Sequence, residues 1–140
     1  MRDLKPIFPL LIVAVLAASL LSGCQTLGER KQSTALEDTL QLYAGIIRWG
    51  ALRKAYSFRD PSSMEMLDDI PSGLENIRVT SYEVIQGPIM SDETTAIQTV
   101  LIEYLYKDIQ VIRNLQDKQV WHYNKEEESW MLASKVPQFK

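Results

Sequence analysis

From Ile7 to Leu21 the chain reads IFPLLIVAVLAASLL and carries no charge. A helix made of these residues would be apolar all round, with no face to show to solvent, so the run does not belong on the surface of a small domain. It is also shorter than the roughly 20 apolar residues that span a bilayer comfortably. Arg2 and Lys5 precede it, with Asp3 as the one opposing charge. That order, a basic start followed by a short apolar run, is the pattern of a secretory signal peptide. Only the residues after Gln25 are then available to build a domain. Charged residues make up 24% of the sequence and the net charge is −3. This balance fits one folded domain and excludes both a disordered chain and a nucleic-acid footprint.

The apolar run ends in Leu21-Ser22-Gly23-Cys24, and Cys24 is the only cysteine. A branched apolar residue, two small residues and a cysteine resemble the lipobox of bacterial lipoproteins. The resemblance implies cleavage between Gly23 and Cys24, a diacylglyceryl group on the thiol and acylation of the new amine. Each buried lipid CH₂ contributes about 0.8 kcal/mol and stable anchoring takes two membrane signals, so such a modification holds a protein permanently. In Gram-negative lipoproteins similar to this one, a residue other than Asp after the cysteine implies sorting to the outer membrane; here it is Gln25. With its thiol consumed, the domain has no cysteine for a disulfide, thiol catalysis or a metal. The expected organisation is a signal peptide over 1–23, a lipidated Cys24 with a flexible tether to residue 34, and one domain over 35–140.

The tether, QTLGERKQST over 25–34, is polar and has no apolar periodicity. Extended, ten residues reach about 33 Å. Ser33 or Thr34, with Glu37 three residues after Thr34, forms a capping-box pattern that predicts a helix start. Leu36, Leu40, Tyr43, Ala44 and Ile47 make one apolar stripe, and Leu42, Ile46 and Trp49 a second on the other side. A helix apolar on two faces is expected to be deeply packed, or to set one face against a second element. Gly50 predicts a break, followed by a short helix from Ala51 to about Phe58. Asp60-Pro61 then suits a cap and a first helical position.

Tyr43, Trp49-Gly50, Ala55-Tyr56, Phe58 and Asp60-Pro61 together resemble the opening of the NTF2-like (cystatin-like) superfamily. That resemblance implies an α+β fold, with N-terminal helices packed on a curved antiparallel sheet of about four strands. The second half is strand-like in its own right. Residues 76–86 are rich in β-branched side chains and precede the turn signal Gly87-Pro88; residues 94–106 carry apolar residues on both faces. In 110–124, Val111, Leu115, Trp121 and Tyr123 share a face with Arg113, Asp117 and Gln119, and SWMLAS over 129–134 returns after the loop KEEE. Trp121, Tyr123 and Trp130 are expected to cluster near the tip of that last hairpin. The ending from Asp117 to Phe139 also resembles that of uncharacterised proteobacterial lipoproteins, a likeness that implies architecture and no activity.

Candidates for chemistry are few. His122, the only histidine, falls on the same strand face as Asn114, Gln116 and Lys118, the more solvent-like one. NTF2-like enzymes use a Tyr, Asp or His inside a cavity, which draws attention to Tyr82, Tyr104 and Tyr106. No Asp or Glu matches the position of the isomerase base, and Glu103 is explained as easily by a strand-edge ion pair. MEMLDD (64–69) and KEEE (125–128) group carboxylates without the alternating ligands and glycine turn of a calcium loop. Arg48, Arg53 and Lys54 lie among aromatics, but an exported acidic chain is an unsuitable partner for nucleic acid.

The expectation is therefore a lipoprotein held at the outer membrane through Cys24, probing the periplasm with a non-enzymatic interaction or ligand-binding domain. It has no catalytic residue, cofactor or metal. Its partners would be the membrane, an envelope protein and, as in similar folds, a second copy across the open sheet face. A carrier or enzyme for a small apolar ligand, and an accessory subunit of an envelope-assembly complex, are the alternatives.

Overall fold

The structure, a computed structural model, describes residues 23–63 and 70–140, the side chains of residues 23–25 and 63 excepted. The expected signal peptide, the thiol of Cys24 and the acidic stretch 64–69 lie outside the described residues. The chain divides into two units at Thr34/Ala35. In the first, the described residues are helical. In the second, helices pack against a four-stranded antiparallel sheet, an α+β architecture.

Helix α1 runs Gly23–Arg48. The polar stretch 25–34, expected as a flexible tether, is thus helical, and no helix starts at Ser33 or Thr34. Glu, Arg, Lys, Gln and Leu are good helix formers, and extending a helix that already exists incurs no nucleation penalty. The absence of an apolar stripe says only that this part buries little. From Ala35 onward the stripe appears as expected, with Leu36, Leu40, Tyr43 and Ile47 buried. The second stripe behaves differently. Leu42 and Trp49 are exposed, and only Ile46 packs against the core.

Gly50 ends α1 as expected, with φ at +81°. The Ala51 N–H reaches back to the carbonyl of Ile46 at 3.1 Å, a six-to-one bond that ties off the helix around a left-handed glycine. Helix α2 (Leu52–Ala55) and a 3₁₀ turn (Tyr56–Phe58) follow, burying Leu52 and Ala55. Asp60 then accepts the Ser62 N–H at 2.8 Å, capping the 3₁₀ turn that starts at Pro61.

The strands β1 (Ile77–Met90), β2 (Thr95–Tyr106), β3 (Arg113–Asn124) and β4 (Ser129–Leu132) form a meander in that order. Gly87-Pro88 does not turn the chain. Strand β1 continues through it with a register shift between Gln86 and Ile89, and an edge strand tolerates the missing proline N–H at such an irregularity. The turn falls at residues 91–94, where Asp92 accepts the Thr94 N–H. Val111 lies before β3 and is exposed rather than on its inner face. Alternate residues of β2, from Ala96 through Val100 and Ile102 to Tyr104, are buried under the helices.

Tyr43, Phe58 and Trp121 meet edge to face, with ring centroids of Tyr43–Phe58 at 5.4 Å, Tyr43–Trp121 at 5.1 Å and Phe58–Trp121 at 6.3 Å. Of the expected hairpin cluster, Tyr123 and Trp130 do touch, at 5.2 Å. Trp121 is instead taken up by the helices. The chain after β4 supplies further cover, burying Val136 and setting Phe139 edge to face with Tyr104 at 5.0 Å between centroids.

Two glycines, one inside α1 and one in the turn that ends it, test this account. Neither Gly45 nor Gly50 has an atom within 4 Å of where a Cβ would stand, so only the backbone decides. Gly45→Ala should stabilise the fold by roughly 0.5–1 kcal/mol. Gly50→Ala should destabilise it by about 1–2 kcal/mol, because its φ is left-handed. Urea unfolding of the two variants checks both signs.

Candidate functional site

Two places gather polar chemistry: a buried cluster on the inner face of the sheet, and the accessible shoulder where α1 ends.

The inner cluster follows from strand alternation. Asp117, Gln119 and Trp121 occupy the same face of β3, and the register sets Gln119 opposite Gln98 of β2. Gln119 is completely buried and acts as a hub. Its amide nitrogen donates to Asp117 Oδ2 at 2.8 Å and to the Tyr82 hydroxyl at 3.1 Å. Its oxygen accepts from Gln98 Nε2 at 2.9 Å and from Trp121 Nε1 at 3.3 Å. Both donors and both acceptor positions of the amide are thereby used. The hydroxyl of Tyr43, also fully buried, has no hydrogen-bond partner among the described residues.

Burial controls the ionisation of the cluster. Loss of solvent pushes the Asp117 carboxyl up to about 6, against the opposing hydrogen bond from Gln119. The same desolvation raises Tyr82 to about 12, and it raises Tyr43 well above the ordinary tyrosine range, with the Asp117 charge adding to it. Asp117 is thus an inward carboxylate beside inward tyrosines, a combination for which the sequence comparison found no matching acid. The signal was present in the alternation, which set Asp117 and Gln119 between Leu115 and Trp121.

The other sequence candidates do not converge on this cluster. His122 is exposed, with Nδ1 3.9 Å from Asp60 Oδ2. The Asp60 carboxyl is itself held below its usual value, chiefly by the Ser62 hydroxyl. Tyr104 points inward, but its hydroxyl is bonded to the backbone of Lys140 as both donor and acceptor. The Tyr106 ring packs at 6.1 Å from Tyr104. Glu103 alternates to the opposite face from Tyr104. The KEEE segment is a solvated turn, in which the Glu126 and Glu127 N–H groups donate to Asn124 Oδ1. Among the described residues no group of three or more His, Cys, Asp or Glu side chains could hold a metal ion.

The shoulder is built by the end of α1. The glycine turn after Arg48 swings Trp49 outward, leaving it 81% exposed. The Arg48 guanidinium lies over its ring, 5.7 Å from the centroid. On one side of Trp49 is a cleft of about 460 Å³ bordered by Arg48, Arg78 and Lys107 and floored by Ile77 and Val79. On the other is a shallower groove of about 650 Å³ running past Leu42, Ile46 and Ala51, with Asp38 and Lys54 on its border. The apolar spacing of Leu42, Ile46 and Trp49 was legible in the sequence. That Leu42 and Trp49 are left exposed by the other described residues was not.

No protein-family model matches this chain, and no curated protein or solved structure is significantly similar to it.

The raised Asp117 makes stability depend on pH. Unfolded, the carboxyl titrates near 3.9, so between about 4 and 6 the folded chain binds more protons. Its contribution therefore favours folding at low pH and is lost as pH rises through about 6. Asp117→Asn keeps an acceptor for Gln119 and carries no charge. Relative to wild type it should be more stable at pH 7.5, by up to about 3 kcal/mol, and no more stable at pH 4. Urea unfolding at the two pH values measures the difference.

Proposed function

We propose that this protein is an outer-membrane lipoprotein, anchored through Cys24, whose NTF2-like domain is a non-enzymatic binding module in the periplasm. The observation that carries the anchoring is Leu21-Ser22-Gly23-Cys24 at the end of an uncharged run with a basic start. Gln25 supports the outer membrane as its destination. The distribution of polar groups supports binding over catalysis. The Gln119 amide is saturated by its own neighbours, whereas the Trp49 shoulder offers open, uncovered surface with both apolar and cationic character.

Radiolabelled palmitate should enter the wild-type protein and not Cys24→Ser, and the wild type should fractionate with outer membranes. Equal labelling of the two would sink the lipoprotein reading. Crosslinking in intact cells followed by membrane pull-down separates a binding module from a subunit of an assembly complex, which would bring down a stoichiometric set of envelope proteins.

A second reading, a carrier or enzyme for a small apolar ligand, is favoured by one observation: the buried Tyr43 hydroxyl, without a hydrogen-bond partner among the described residues, near Asp117. It requires a small apolar carbonyl compound or phenol to raise the unfolding temperature of the wild type but not of Asp117→Asn. A panel of such compounds without effect on either protein would remove it.

A further inference from the structure

We propose that the cleft beside Trp49 binds the phosphate of an anionic amphiphile, with the apolar part of the ligand lying along the groove on the other side of the indole. This rests on the binding-module reading and gives it a ligand class. The first support is segregation of charge. In a chain with net charge −3, three cations, Arg48, Arg78 and Lys107, border one cleft, and no acidic side chain among the described residues lines it. Arg48 and Arg78 form no ion pair among the described residues. Lys107 is held in place by donating to the carbonyl of Glu75 at 2.7 Å, which leaves two of its ammonium hydrogens for a ligand. Guanidinium forks suit phosphate because they donate two parallel hydrogen bonds in a fixed plane. The cleft, at about 460 Å³, is within the size range of small-molecule sites.

The backbone contributes as well. The cleft wall includes residues 77–80 of β1, an edge strand, and the pairing with β2 skips Thr80 between Val79 and Ser81. An edge strand presents unpaired N–H groups on its outer side, and these are donors of the kind an anion uses.

The second support is the continuity of this cationic cleft with apolar surface. Trp49 borders both depressions, so a ligand seated in the cleft meets the indole and then Leu42, Ile46 and Ala51. A free inorganic anion would leave that second surface uncovered, and a neutral apolar ligand would leave three cations unmatched. A phosphate with an attached acyl portion matches both. The Arg48 guanidinium over the Trp49 ring links the two halves of the site.

Tryptophan fluorescence provides the test, because Trp121 and Trp130 are buried and Trp49 is the one of the three indoles that faces water. The full chain, carried in phosphatidylcholine nanodiscs, is titrated with three probes. Dihexanoyl phosphatidic acid supplies anion and tails, glycerol phosphate the anion alone, and dihexanoyl phosphatidylcholine the tails with a zwitterion. The expected result is a saturable blue shift with the first, with the other two at least about tenfold weaker. Trp49→Phe should abolish the signal while keeping the circular dichroism of the wild type. Arg48→Ala and Arg78→Ala, both at exposed positions, should each weaken the response to the anionic amphiphile by about tenfold. Equal binding of glycerol phosphate would make this a free-anion site and overturn the proposal. So would an equal response to phosphatidylcholine, or a shift that survives loss of both arginines, which would signify partition into the disc. Silence toward all three probes would overturn it too. Palmitate incorporation at Cys24 is read separately, so none of these failures would count against anchoring. A crosslinked protein partner would still leave the binding-module reading in place.

Discussion

The helices stay on the sheet because Trp121 is enclosed. Its ring receives Tyr43 from α1 and Phe58 from the turn after α2, both edge-on, while its Nε1 donates to Gln119. Edge-to-face aromatic pairs contribute about 0.5–1.5 kcal/mol each beyond the area they bury. Three of them joining three segments of chain fix the angle at which α1 crosses the strands. Without Trp121 the buried stripe of Leu36, Leu40 and Ile47 would still be apolar, but two of the three aromatic contacts would be lost. The hydrogen bond from the indole also fixes the orientation of the Gln119 amide, and through it Gln98, Asp117 and Tyr82.

That coupling gives the inner polar cluster its character. Buried polar groups are costly unless paired, and Gln119 pairs an amide, a hydroxyl, a carboxyl and an indole N–H at once. Asp117 is buried away from solvent and the Gln119 hydrogen bond offsets only part of that loss, so its proton is retained to a higher pH than an exposed carboxyl would hold it. Tyr43 takes part in the aromatic contact with its ring and leaves its hydroxyl unsatisfied. Packing and polar satisfaction compete at this residue, and packing prevails.

On the outside, the same helix has a different part. Its termination at Gly50 leaves Trp49 exposed at the helix end with Arg48 set against it. One left-handed residue thus sends the chain back over the sheet as α2 and also exposes the surface on which the proposed ligand would sit.

Much of this was legible in the residues themselves. The stripe of Leu36, Leu40, Tyr43 and Ile47 follows from helical spacing, the helix end at Gly50 from its conformational freedom, and the inner face of β3 from strict alternation. The cap at Asp60 and the run of β2 follow from equally local chemistry. These features depend on a few neighbouring residues, and the same physics acts on them in any fold. Others depended on the tertiary structure. The helical state of 25–34 is decided by the helix it extends, and the passage of β1 through Gly87-Pro88 by its place at the sheet edge. Whether Trp49 is covered depends on which elements reach it. The partner of Trp121 is α1 rather than its own hairpin, and Asp117 titrates near 6 because distant segments close over it. Burial is a property of the assembled chain, so local sequence sets which faces can be buried and only the packed fold decides which of them are.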